Sequence, residues 1–281
     1  MHAYYLTQWI LFFFIYSFIG WIWESCYVSV RKRRWVNRGF LHGPMLPIYG
    51  SGALVILIST IGVRENPWLI FLFGMLAATV LEYITGAVME KLFHVRYWDY
   101  SRQKLNLNGY ICVSSSLCWG VFSVLLVRAV HIPVERAVLD IPLFITDGAA
   151  LVLTVIMTVD LTQSFNEAMD LKQVLAQLEE SKEQIGEMQE KLLQLEELAE
   201  RIEVLLKEEI PSKAGSLISE EKREELKKFR NSIVGEFGRM SSRKDKIYLH
   251  IASQLKRNPT AASKKFAKAL EELKDTLENI K

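Results

Sequence analysis

The chain has 281 residues, half of them hydrophobic, and a formal net charge of +2. So small a charge gives no electrostatic footing for a nucleic-acid partner. The average also hides two unlike parts: only 12 of the 34 Lys and Arg and 9 of the 32 Asp and Glu precede Asn166, so the first part is apolar and the remainder highly charged.

Taken in order, Leu6 to Val30 is apolar over about the 20 residues that cross a bilayer, interrupted by Glu24 and closed by Arg31-Lys32-Arg33-Arg34. The basic run follows the apolar stretch and no small-residue cleavage site comes after it, so the segment reads as a transmembrane helix and not as a cleaved signal. Further spans are expected at Leu46 to Val63, Trp68 to Phe93, Tyr110 to Val130 and Ile141 to Leu161, five in all, making an all-α multi-pass protein of the cell membrane. The first and third loops carry Arg31 to Arg34 with Arg38, and Lys91, Arg96, Arg102 and Lys104. Such basic loops belong in the cytoplasm, which sets the amino terminus outside and the tail inside.

Two stretches stand out within the membrane part. Residues 39 to 52, GFLHGPMLPIYGSG, hold six of the chain's Gly and Pro. That density breaks a helix, and non-helical backbone at membrane depth is tolerated only where protein or water satisfies it. The second stretch, Glu82 to Gly109, puts Glu82 and Glu90 into an apolar helix and follows them with an aromatic, basic loop. An ionisable residue inside a span is costly unless paired, protonated or wetted, so these carboxylates mark a site. Glu24, Glu82 and Glu90 all fall in the cytoplasmic half. Glu82 and Glu90 are about 80° apart around their helix, close enough to share an interior. They suit a substrate or ion site, or structural pairing with Arg38 and Arg96. His42 could pass a proton near neutral pH, or serve as a hydrogen-bonded structural residue. Asp99, between Trp98 and Tyr100, suits either an interfacial loop anchor or chemistry. A helix starting near Asn108 would offer a positive end to an anion beside Arg96, Arg102 and Lys104, unless those cations merely set topology.

From Leu171 the apolar residues repeat at alternating three and four spacings through Leu178, Ile185, Leu192, Ala199 and Leu206, which predicts a coiled coil over 166–210 that joins this chain to itself or to a partner helix. Pro211 ends it. A helix opening at Ser219 and a last seam from Phe266 to Ile280 make 211–281 a separate cytosolic helical segment. Cys26, Cys112 and Cys118 lack paired spacing and read as reduced packing residues.

No GxxxxGK[ST] loop, HExxH or GxSxG occurs, so the chain has no ATP-binding loop of its own and no familiar hydrolase or zinc motif. Neither a metal nor a cofactor is expected.

Gly20-Trp21 with Glu24, the run Gly39-Phe40-Leu41-His42-Gly43-Pro44 continuing to Pro47-Ile48-Tyr49-Gly50, Glu82-Tyr83 with Thr85-Gly86 and Glu90, and Trp98-Asp99-Tyr100-Ser101 with Asn108-Gly109 resemble the bacterial family labelled putative ABC-transporter type IV, or CmpB-type permease, over residues 5–150. The resemblance implies a permease-like protein working with a separate ATPase subunit. The residues themselves leave open an enzyme acting on membrane lipids, or a scaffold assembled through the coiled coil. For any of these, the expected cavity residues are Glu24, Arg38, His42, Tyr49, Glu82, Glu90, Arg96, Trp98, Asp99 and Asn108. Glu24 and Glu82 are expected to face one cavity with Gly39 to Tyr49 and the start of the fourth span.

Overall fold

A computed structural model describes residues 4–209 and 251–279. The chain is mostly helical: α1 (Leu6–Lys32), α2 (Pro47–Ser59), α3 (Pro67–Phe93), a two-stranded hairpin β1 (Asn106–Leu107) and β2 (Ile111–Cys112), α4 (Val113–Leu125), a π-helical turn (Leu126–Val130), α5 (His131–Leu139), α6 (Leu143–Glu209) and α7 (Ala267–Asn279). Residues 251–257 are also helical.

Local chemistry sets the ends. α1 closes on Arg31 and Lys32 at its carbonyl-rich end, with Arg33 left-handed at φ 52°. α3 opens with the Asn66 side chain accepting from the amides of Trp68 and Leu69, and Pro67 fills the first helical position.

Four helical stretches are long and apolar enough to cross a membrane: Leu6–Lys32, Pro67–Phe93, Val113–Leu139 and Leu143–Gln184. The expected second span falls short. α2 has 13 residues, about 20 Å at 1.5 Å each, against a hydrocarbon core of about 30 Å. Its apolar run is cut at one end by Pro47 and at the other by Thr60, whose amide and hydroxyl both bond Ile56 O. Upstream of α2 the chain climbs back along α1 without helical structure: Val36 N bonds Ser29 Oγ, Arg38 N bonds Ser25 Oγ and Leu46 N bonds Ser17 O. An extended stretch followed by a short helix thus covers the length that one regular span would.

The helices approach closely where side chains vanish. A Cβ on Gly20 would overlap the Tyr49 ring, and one on Gly74 would overlap the Ser123 side chain, so α1 meets α2 and α3 meets α4 at near-backbone distance. A dry core of Leu11, Phe12, Ala53, Ile56, Leu57 and Ile70 fills the half of the bundle that holds the amino-terminal end of α1.

Two compact units are present, Met1–Lys172 with Ala252–Lys281, and Gln173–Ile251. Of the segment 211–281 that sequence reading set apart, residues 252–281 therefore fall in the same unit as α1 to α5. Arg96 and Ala262 exchange both backbone hydrogen bonds, at 2.7 and 2.9 Å, and Ser263 Oγ donates to His94 O while accepting from Phe266 N. Phe266, Ala269, Leu270 and Leu273 are buried. In sequence this segment looks like any amphipathic tail, because nothing local names the loop it will meet. Of the expected coiled coil, the helical backbone continues through Leu206; the side chains of its seam from Ile185 onward lie outside the described residues, as do the Pro211 break and the helix expected from Ser219.

Candidate functional site

A cavity of about 600 Å³ occupies the other half of the bundle. Its walls come from α1 (Glu24), the ascending stretch (Arg38 to Phe40), the first turn of α2 (Pro47 to Tyr49), α3 (Glu82 to Phe93), the loop after it (Tyr97, Trp98, Tyr100), the start of α4 (Ser114 to Phe122) and α6 (Leu161, Phe165), with Asn258 completing one side. Of the ten residues singled out from sequence, Glu24, Arg38, Tyr49, Glu82 and Trp98 line it.

Glu82 is 6% exposed and accepts three hydrogen bonds: from Tyr100 Oη at 3.2 Å, Ser115 Oγ at 3.3 Å and Trp119 Nε1 at 3.1 Å. No Lys, Arg or His forms an ion pair with it among the described residues. Three donors from a loop and from α4 converge on one carboxylate of α3, which is the hydrogen-bonding a buried acid requires. The Tyr100 phenol is pushed up by burial and by that carboxylate.

Glu24 has a different setting. Tyr49 Oη donates to it at 3.0 Å and Arg38 Nε stands 3.8 Å away. The same guanidinium donates to Asn258 Oδ1 at 2.7 Å, Tyr97 O at 3.0 Å and Thr260 Oγ1 at 3.3 Å. Asn258 in turn donates to Gly39 O at 2.9 Å. At φ +138° Gly39 occupies a conformation an L side chain resists, and a Cβ there would also meet Leu46. One arginine thus ties a cavity carboxylate to the returning C-terminal segment.

The remaining sequence candidates do not line the cavity. Glu90, Arg96 and Asp99 form a cluster of their own: Arg96 Nε donates to Glu90 at 2.8 Å, its Nη1 donates to Asp99 at 3.2 Å and to Ser101 at 3.2 Å, and Tyr110 Oη donates to Glu90 at 2.5 Å. Burial alone would raise the Asp99 carboxyl, but the Ser101 hydroxyl and amide and the Arg96 guanidinium hold it below the usual range. Arg96 is thus engaged, and of the three cations expected beside an anion site it is the one held in this cluster. Asn108 is not at a helix start either: it is a left-handed turn residue (φ 55°) whose amide donates to Tyr83 Oη, and α4 begins at Val113 behind a Cys112 cap. His42 faces α6. Its ring nitrogens lie 3.0 Å from Asp160, 2.9 Å from Glu167 and 3.0 Å from Ser164, and its amide and that of Gly43 donate to Asp160. Arg257 donates to Glu167 at 2.8 Å, so His42 works inside a clamp that joins loop, α6 and the C-terminal segment.

Sequence reasoning passed over Tyr100, Trp119 and Asn258 as cavity residues. Tyr100 and Trp119 are polar-tipped aromatics in apolar surroundings, a type that needs a partner when buried, and that was the available signal. Asn258 gave none, being more than 200 residues from its partners. Among the described residues no three His, Cys, Asp or Glu side chains are grouped as a metal would require.

Residues 11–165 match the model of the family described as Putative ABC-transporter type IV. No curated protein and no solved structure matches the chain.

Proposed function

Since the chain belongs to the family described as Putative ABC-transporter type IV, we propose that it is a permease-like membrane protein which binds its solute in the cavity around Glu82 and is driven by a separate ATPase subunit. The observation that carries this reading is Glu82 itself. A carboxylate in a membrane helix, held by three donors and facing about 600 Å³ of space, has a large cost if it serves no ligand. The partner ATPase follows from the family and from the missing phosphate-binding loop.

The proposed orientation has the amino terminus outside and the basic runs Arg31 to Arg34 and Arg96 to Lys104 in the cytoplasm, by the positive-inside rule. The short α2 does not alter it, because the ascending stretch and α2 together make one crossing. A cysteine at position 35 in a cysteine-free background should resist an impermeant reagent added to intact cells; labelling there reverses the orientation. Self-association through Leu171 to Leu206 is part of the proposal, and Ile185→Asp with Leu192→Asp in the full chain should reduce its sedimenting mass.

Metabolite and lipid pools in a deletion strain, complemented with either the wild type or Glu82→Gln, test the central reading. The pool that shifts on deletion should return with the wild type and not with Glu82→Gln at equal membrane abundance. Full restoration by Glu82→Gln overturns it. Accumulation of a lipid precursor in place of a solute would favour the second reading, an enzyme on lipid substrates, which the largely apolar cavity lining supports.

A further inference from the structure

The chemistry of the cavity wall narrows the ligand, resting on the reading that the Glu82 cavity is a substrate site. Three of its lining residues are charged, Glu24, Arg38 and Glu82. Arg38 is committed: its Nε faces Glu24, and its two terminal nitrogens are taken by Asn258, Tyr97 O and Thr260. Glu82 is left as the one carboxylate without a cation, in contact with an O–H from Tyr100, an O–H from Ser115 and an N–H from Trp119. Donors alone surround it, a set that completes an acceptor and leaves its charge for a ligand to neutralise. An anionic ligand would meet a carboxylate and no free cation.

The groups around that charge are aromatic. Tyr100 and Trp119 are tethered to Glu82 by their polar tips and so keep their rings beside it. Tyr49 packs on Trp119 with centroids 5.8 Å apart, and Trp98 is fixed by Nε1 donating to Tyr110 O at 2.9 Å. One acid among four aromatic rings is the arrangement that recognises an alkylated ammonium, through charge at the acid and cation–π attraction at the ring faces. Among the described residues no three His, Cys, Asp or Glu side chains are grouped there, and the space is that of an organic molecule.

The rest of the wall is apolar and reaches the outside. Leu161 and Phe165 of α6 and Leu92 of α3 line the cavity, yet they are 42, 39 and 42% exposed. The apolar wall therefore continues from the cavity to the outer surface of the bundle at these helix ends, and an acyl or alkyl chain can lie along it.

We infer that the cavity binds an ammonium-headed amphiphile, its cationic nitrogen at Glu82 within the ring of Tyr49, Trp98, Tyr100 and Trp119, and its apolar chain running toward Leu92, Leu161 and Phe165.

Equilibrium dialysis of the full chain in maltoside micelles, against protein-free micelles, tests this with octyltrimethylammonium, tetramethylammonium and octyl sulfate. Octyltrimethylammonium should bind saturably at one per chain, tetramethylammonium at least tenfold more weakly for want of a chain, and octyl sulfate only to the level of empty micelles. Glu82→Gln should weaken octyltrimethylammonium at least tenfold. Trp119→Leu, which leaves the carboxylate in place, should weaken it severalfold, so that a defect in one variant's folding does not decide the matter. Equal binding of octyl sulfate, or binding unchanged in both variants, overturns the inference. Ammonium binding with no Glu82-dependent pool in cells would sink the permease reading and leave the ligand class standing; a Glu82-dependent pool with no ammonium binding would do the reverse.

Discussion

The two halves of the membrane bundle are made from the same helices and solve opposite problems. In one half Phe12, Leu57 and Ile70 are fully buried in an apolar core and the helices close to backbone distance through glycine. In the other, α1, α3 and α4 carry Glu24, Glu82 and Ser115, and they hold polar groups around the cavity. The difference is not in hydrophobicity along each helix, which is high throughout. It lies in what the short α2 leaves unfilled: where α2 exists the bundle is solid, and below Pro47 an irregular strand replaces it and a cavity opens. A regular second span would have filled that volume with side chains.

The packed half is where truncation should cost most. Phe12→Ala removes a fully buried ring and should lower stability by about 3–5 kcal/mol, read as a large fall in the melting temperature in detergent. A melting point unchanged by this variant would mean that the two halves do not differ in packing.

Next in size, Glu82→Leu should strand the Tyr100, Ser115 and Trp119 donors, at about 1–3 kcal/mol for each one that cavity water does not reach, while Glu82→Gln, which can still accept, should melt close to the wild type. If the two variants melt alike, the hydrogen bonds around Glu82 do not stabilise the hollow half.

A smaller loss is expected from Asn258→Ala, which removes the links to Gly39 O and Arg38 and should cost about 1–2 kcal/mol locally. Faster amide exchange at Arg96 and Ala262 would report it, with the core around Phe12 unaffected. Equal acceleration in both halves would show them to be one cooperative unit.

Smallest is the effect of mild acid. The His94 imidazole has its pKa lowered by burial and by the Lys172 and Lys265 cations, against Glu90, and its ring packs on Phe266. The folded form therefore prefers His94 neutral. Its contribution is complete above the ordinary value of 6.5 and declines as pH falls below it, until the lower folded pKa is passed. Protection near Phe266, corrected for the intrinsic slowing of amide exchange in acid, should fall as pH is lowered from 7.5 to 5.5, and His94→Gln should abolish that fall. Asp99 runs the other way in timing: its carboxyl is held below 3.8, so its contribution survives until far stronger acid.

Much of this contrast was legible in the residues. Glu24 and Glu82 stood out because a carboxylate in an apolar run has few explanations, and the Gly and Pro density marked the irregular backbone of 39–46, although 47–52, expected to be broken as well, form the first turns of α2. What could not be read was which polar groups would be consumed locally. Glu90, Arg96 and Asp99 looked like site residues by type, yet their mutual hydrogen bonds depend on a loop turning back at Leu105 and Asn108, both left-handed. His42 was drawn to Asp160 and Glu167 by a helix more than 100 residues on. The length of α2 was hidden because a hydropathy window counts apolar residues and does not see Leu46 in an extended conformation.

The C-terminal segment has a consequence in time. Asn258 and Thr260 hold Arg38, and Ala262 pairs with Arg96, so the first loops of the membrane part find their partners in residues that leave the ribosome long after them. Every helix of the bundle can be synthesised and inserted before those residues exist, and during that interval Arg38 has Glu24 but not Asn258. The nascent protein thus passes through a stage with its helices in place and its cavity unclosed on one side. A chain stopped short, by truncation or by a stalled ribosome, would be held at that stage in the membrane.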